Sequence, residues 1–138
     1  MTVYAYDAER EIALGAFAGL LDPEMLQGAY VQTTDATVTN LWTYTVATDE
    51  TISILVIVNG TSANNAVRAG YLLFATAADD SGILAQVGTT AVLATNEEAA
   101  AWDATIDISA AQIRIRVTGA AGVTINWTAT ILIQKYVS

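Results

Sequence analysis

VTINWTATILI, residues 123–133, carries the reading that decides the fold. Its apolar side chains recur at every second position, Val123, Ile125, Trp127, Ala129, Ile131 and Ile133. Thr124, Asn126, Thr128 and Thr130 fill the positions between. A period of two belongs to extended chain, because successive side chains of a strand leave opposite faces. β-Branched and aromatic residues also suit a pleated, half-buried surface. The stretch predicts one long strand with an apolar face in a core and a threonine-rich face turned away from it.

The same period governs most of the chain. Ile113, Ile115 and Val117 alternate with Gln112, Arg114 and Arg116, and Thr105–Ser109 alternates as well. Gly119-Ala120-Ala121-Gly122 predicts a tight connection into the final strand. In Thr37–Val46 the residues Val38, Trp42, Tyr44 and Val46 share a face that Asn40 interrupts. Thr51–Val58 is almost continuously apolar, the pattern of a strand covered on both faces. Arg68–Thr76, Ile83–Val87 and Ala91–Ala94 complete the set. Asn59-Gly60, Asn64-Asn65 and Asp79-Asp80-Ser81-Gly82 read as turns. Asn96–Trp102 has no clear period, and Asn96 is placed to cap a single helical turn through Glu97, Glu98 and the alanines. About eight short strands divided by turn signals predict an all-β chain, a β-sandwich of jelly-roll-like form.

The first residues follow a different pattern. Met1–Tyr6 alternates weakly, whereas Ala8–Leu21 has helical spacing, with Ile12, Ala16 and Leu20 on one stripe and Ala13, Phe17 and Leu21 on the next. Asp7 suits the N-cap, and Glu9 and Glu11 suit the first turn. Gly15 and Gly19 weaken the helix, and Asp22-Pro23-Glu24 starts a further short turn. The expected organisation is a short N-terminal helical arm over residues 1–27 and a β-sandwich domain over residues 28–138.

Composition excludes several classes of function. Hydrophobic residues make up 54% of the 138 and charged residues 14%, which is too apolar for a disordered tail. The net charge of −9 leaves no basic surface for phosphates, since Arg114 and Arg116 are the one close basic pair. Nucleic acid and anionic membranes are therefore not expected partners. The apolar stretch Ile12–Leu21 is about half the length of a membrane span. Asp7, Glu9 and Glu11 stand where a secretory leader would be positive, so synthesis in a cytoplasm is expected. The chain has no cysteine, hence no disulfide and no thiolate ligand.

It also has no histidine, the commonest general base and a common metal ligand. A lysine base would have to be Lys135, the single lysine, close to the C-terminus. The carboxylate pairs Asp49-Glu50, Asp79-Asp80 and Glu97-Glu98 are adjacent in sequence, which suits solvated turns better than paired acid–base chemistry. Asp79 and Asp80 match no calcium loop. No catalytic, cofactor or metal residue is expected, and no enzyme. Trp42 and Trp127 sit on apolar faces and read as core, whereas Trp102 has small and polar neighbours and reads as an exposed contact. Asn59-Gly60-Thr61 and Asn126-Trp127-Thr128 match a glycosylation pattern but read as a turn and a strand.

Two stretches resemble a known family. QVGTTAVLATNEEAAAWDATIDIS, residues 86–109, and IRIRVTGAAGVTINWTATILI, residues 113–133, look like a β-domain that recurs in structural proteins of tailed bacteriophages. The shared features are a glycine–threonine turn, a glutamate-rich turn before Trp-Asp, and a final strand reading Val-Thr-Gly … Trp-Thr. VQTTDATVTNL, residues 31–41, resembles the opening strand of that domain. The resemblance runs over about three quarters of the chain, from Ala29 onward. It implies a virion part, tail-fibre-like or head-decorating, often homotrimeric, with no catalytic residues to transfer.

The expected function is thus a non-enzymatic virion structural protein. It would be a capsid decoration (cement) protein or a compact head or tail fibre component, binding the major capsid protein or another virion protein and forming a homotrimer. Ile12, Phe17, Leu20 and Leu21 are its expected anchoring interface. The alternative is a module at a fibre tip that binds a host surface glycan through Trp102, Asn64, Asn65 and Asp80.

Overall fold

The computed structural model describes residues 25–138. The expected helix over Ala8–Leu21, with the anchoring residues Ile12, Phe17, Leu20 and Leu21, lies outside the described residues. Eight strands follow in order: β1 (Leu26–Thr33), β2 (Thr39–Thr45), β3 (Glu50–Ser62), β4 (Arg68–Asp80), β5 (Ile83–Glu97), β6 (Asp103–Ser109), β7 (Gln112–Thr118) and β8 (Ile125–Val137). They form a five-stranded sheet in the order β1-β8-β3-β4-β5 and a three-stranded sheet in the order β2-β7-β6. Every pairing is antiparallel.

The period of two sets the core. Ile125, Trp127, Ala129, Ile131 and Ile133 of β8 are buried, as are Ile52, Ile54, Val56 and Val58 of β3 and Tyr71, Leu73, Ala75 and Ala77 of β4. Across from them lie Ile113, Ile115 and Val117 of β7, with Ala104 and Ile106 of β6. The smaller sheet covers the inner face of the larger one, with β2 over β1 and β8, and β6 over β4 and β5. Burial of these aliphatic and aromatic side chains is the main stabilising term, roughly 1.5–3 kcal/mol for each large one.

The strand arrangement corrects several expectations. The chain crosses between the sheets from β1 to β2, β2 to β3, β5 to β6 and β7 to β8, whereas β3, β4 and β5 run as a meander within the larger one. Short turns enforce this: Ser81 and Gly82, at φ 56° and 91°, form a two-residue hairpin loop from β4 to β5. The segments Ile83–Val87 and Ala91–Ala94 are one bulged strand rather than two. Asn59-Gly60 is no turn and lies inside β3; the reversal comes later, where Asn65 adopts φ 59°. β1, with its weak alternation around Gly28, completes the count. In β2 the apolar face broken by Asn40 is a β-bulge between Asn40 and Trp42, which lets both Leu41 and Trp42 enter the core.

Candidate functional site

Trp102 is a core residue, which corrects its reading as an exposed contact. It is 3% exposed. Its backbone N–H donates to the Ala99 carbonyl at 3.1 Å, closing a turn after β5 that tucks the indole inward. The Trp102 and Trp127 rings then lie 5.6 Å apart at 60°, and Tyr71 approaches Trp127 from another side at 6.4 Å. The alanines around Trp102 in sequence hid this, because small residues let a turn pass close to the core.

The remaining predicted contact residues do not converge. Asn64 and Asn65 are exposed in the β3–β4 loop, where the Asn64 carboxamide oxygen accepts from the Ser62 hydroxyl at 2.7 Å and from the Ala66 N–H at 3.2 Å. Asp80 is exposed at the opposite end of β4, thirteen residues long, hence about 40 Å away at strand rise. That far corner is built by Asp79, which is buried and accepts from the Gly82 N–H at 2.7 Å and the Asp49 N–H at 3.2 Å. Asp49 accepts in turn from the Ser81 N–H at 2.9 Å. These carboxylates brace two turns by local side-chain to backbone bonds. Among the described residues, no group of three or more acidic side chains is placed to hold a metal ion.

Two carboxylates meet phenols. Tyr71 donates to Glu97 at 2.7 Å, tying β4 to β5. Burial, then the hydrogen bond to Glu97 and its charge, pushes the Tyr71 phenol above the ordinary tyrosine range. Tyr44 donates to buried Glu50 at 3.2 Å and accepts from Lys135 at 3.3 Å; burial is the main cause that raises its phenol. Both are clamps between strand ends. On the outer side of the smaller sheet, Arg114 grips Asp107 through two bonds of 2.8 Å, with Arg116 at 3.7 Å.

The surface that stands out is the outer face of the larger sheet and its β5 edge. Register partners there form rows from strand to strand. One row reads Tyr30, Thr128, Asn59, Gly70 and Asn96. With no side chain at Gly70, a shallow groove opens between Asn59 and Asn96 and continues to Arg68, Glu97 and Glu98. Tyr30 is 61% exposed at the far end of the row, its hydroxyl donating to Asn126 at 2.8 Å. The row on one side, Gln32, Asn126, Thr61 and Arg68, is polar, and the two rows on the other side are mainly apolar.

β5 is unusual for an edge. It moves from Val87 to Ala91 while β4 moves only from Thr76 to Phe74, so Gly88, Thr89 and Thr90 bulge outward. Thr90 of the bulge donates to the Ile106 carbonyl at 2.7 Å and stitches β5 to β6. A second irregularity at Leu93 turns adjacent Val92 and Leu93 both to solvent, 61% and 57% exposed. Ile83 and Val87 are 73% and 58% exposed. Sequence alternation could not show this, because bulges break the period that the reading depends on.

No protein-family model matches this sequence, and no curated protein matches it. Among solved structures, similarity is found to the tailspike protein of Acinetobacter baumannii phage AM24, with 11% identity and a TM-score of 0.41 over 81% of this chain and 28% of that one. A tailspike protein of Acinetobacter baumannii bacteriophage Fri1, described as a capsular polysaccharide depolymerase, shares 12% identity at TM-score 0.41 over 77% of this chain. The tailspike of Acinetobacter phage vB_ApiP_P1 shares 16% at 0.44 over 78%. This chain spans 28%, 16% and 22% of those three proteins, so each likeness is partial and of low identity.

Proposed function

We propose that this chain is a non-enzymatic structural module of a tailed-phage particle that works as a homotrimer, with β5 of each copy covered by the next. The observation that carries the reading is β5. Edge strands are normally blunted by charge or proline against pairing with another chain. From Ile83 to Asn96 this strand has neither, and it presents Ile83, Val87, Val92 and Leu93 to solvent. In a particle built from repeated subunits, a second copy of the chain is the partner always at hand. A cyclic trimer makes a head-to-tail contact, so β5 meets a different surface on its neighbour. The resemblance of residues 86–109 and 113–133 to the tailed-phage β-domain supports the virion setting, as a head-decoration protein or compact fibre component. The pairings of Tyr71 with Glu97 and of Tyr44 with Glu50 support a structural role, since both acids are engaged in holding strands.

The test is solution mass by light scattering after size exclusion. The expected result is three chain masses for the parent and one for the Val92→Lys, Leu93→Asp double variant, with unchanged circular dichroism. A parent that is monomeric at every concentration refutes the assembly reading.

A second reading has its own observation, the glycine-floored groove between Asn59 and Asn96. Paired carboxamides beside Arg68 and Glu98 offer donors and acceptors suited to sugar hydroxyls, so the module would bind a host surface glycan there. A glycan array run on the assembled protein should give hits that Asn59→Ala and Asn96→Ala abolish; an array without hits counts against it.

A further inference from the structure

Thr51–Val58 has the composition of a strand covered on both faces, yet the described residues cover one. The outward residues of β3 are Leu55, half-buried, and Ile57, 54% exposed. They belong to two rows that cross the whole sheet. Leu26, Leu132, Leu55, Phe74 and Ala91 are register partners in the first row. Gly28, Thr130, Ile57, Leu72 and Ala94 follow in the second. Neither row holds a charged residue. Leu26, Leu132 and Phe74 are 54%, 44% and 39% exposed. A hollow of about 340 Å³ opens beside the first row, lined by Met25, Leu55, Phe74 and Leu132 and, on its other side, by Ser53 and Gln134.

Met25 is the first described residue, and it lines this hollow. Residue 24 is thus bonded to a residue that borders this face, next to Leu26 at the start of the first row. We infer that residues 12–21 of the same chain lie across this face, with Ile12, Phe17, Leu20 and Leu21 seated on the two rows as its second cover.

Length, charge and tether favour this occupant. From β1 to β5 the rows span four interstrand spacings, about 19 Å at ~4.8 Å each. As the helix its spacing predicts, Ile12–Leu21 is about 15 Å long, and Ala8–Leu21 about 21 Å. Ile12–Leu21 is uncharged, like both rows, while Arg10, Glu11, Asp22 and Glu24 put charge on either side of it. Only Asp22-Pro23-Glu24 separates the segment from Met25. So short a link gives the chain's own segment a high effective concentration over a segment from a neighbour. Cover of this kind would give β3 and β4 two buried faces and leave the Val92–Leu93 projection free at the edge. The inference goes beyond the assembly reading and does not depend on it.

The full chain tests it cleanly, because it has no native cysteine. A Phe17→Cys, Ile57→Cys double variant treated with a short bis-thiol reagent should close within one chain. It should close several-fold faster than a Phe17→Cys, Thr105→Cys control, whose second thiol is on exposed β6. A mixture of the two single variants, Phe17→Cys and Ile57→Cys, should give no joined chains. Equal rates in test and control overturn the inference, and so does a product formed only in the mixture, which would place a neighbour's segment on the face. A second measurement does not depend on the double variant folding. Maleimide labelling of Ile57→Cys should speed up several-fold when Phe17→Ser and Leu20→Ser are added, and an unchanged rate refutes the cover. Loss of the trimer would leave each of these outcomes readable.

Discussion

Adding one methyl group at Gly60 should destabilise the domain, and the geometry fixes both the size and the partner of the effect. Gly60 of β3 stands directly opposite Trp127 of β8 in the strand register. A Cβ at this position would lie 2.6 Å from Cζ3, 2.8 Å from Cε3 and 3.0 Å from Cη2 of the indole. Carbon atoms in contact prefer about 3.5–4.0 Å. The ring is held against retreat: its Nε1–H donates to the Thr33 hydroxyl at 3.0 Å, and Trp102 and Tyr71 pack around it. Relief has to come from moving β3 against β8, at the centre of the larger sheet.

Overpacking of this kind costs about 1–3 kcal/mol. Alanine returns roughly 0.4–1 kcal/mol by restricting the unfolded chain, which leaves a net loss of about 0–2.6 kcal/mol for Gly60→Ala, about 1.3 kcal/mol at the centre of both ranges. With an unfolding entropy of about 2.1 cal/mol/K per residue, a domain of this size loses roughly 4 °C of Tm per kcal/mol. The expected drop is therefore about 5 °C, with about 10 °C as the upper end, read by circular dichroism and matched by a lower urea midpoint at constant slope. All three crowded carbons belong to the six-membered ring, which Trp127→Phe withdraws from that space. Trp127→Phe will itself be destabilising, but Gly60→Ala added to it should cost nothing or stabilise. The coupling should be about 1 kcal/mol or more. An unchanged Tm for Gly60→Ala, or the same cost in both backgrounds, would refute the reasoning.

Thr33→Val removes the acceptor for the buried Trp127 Nε1–H and should cost about 1–3 kcal/mol in urea unfolding. Trp102→Ala should cost about 3–5 kcal/mol, a stability loss that a surface contact would not show. Asp107→Asn should change stability by less than about 1 kcal/mol, because the pair it breaks is partly exposed. At alkaline pH the raised Tyr71 phenol sets a direction: above about pH 10 the unfolded chain releases a proton that the folded chain keeps, so stability falls as pH rises. Tyr71→Phe should flatten that limb of a Tm-against-pH curve, and a curve of unchanged slope would exclude Tyr71 as its source.

Legibility in the sequence followed the physics of each stretch. β8 was readable because its inward set is unbroken from Ile125 to Ile133, and burial of that set requires one register. β5 was not, since Gly88–Thr90 and Leu93 are bulged out, and an extra residue inverts the alternation after it. Asn59-Gly60 carries the composition of a turn for a reason unrelated to turning. The glycine makes room for an indole from the adjacent strand, a tertiary demand no local window contains. Trp102 misled in the opposite sense: its small neighbours suggest a loop in water, whereas smallness is what lets the turn press its ring against Trp127. For the same reason the glycan contacts named from Trp102, Asn64, Asn65 and Asp80 do not form one site. Asn59 and Asn96, distant in sequence, are brought to either side of Gly70 by two strand pairings. The most informative mismatch is Thr51–Val58. Its apolar run predicts cover on both faces, and Ile57 remains exposed among the described residues. Composition that exceeds the burial on view points to a cover, and the uncharged residues 12–21 have the length and the tether to supply it.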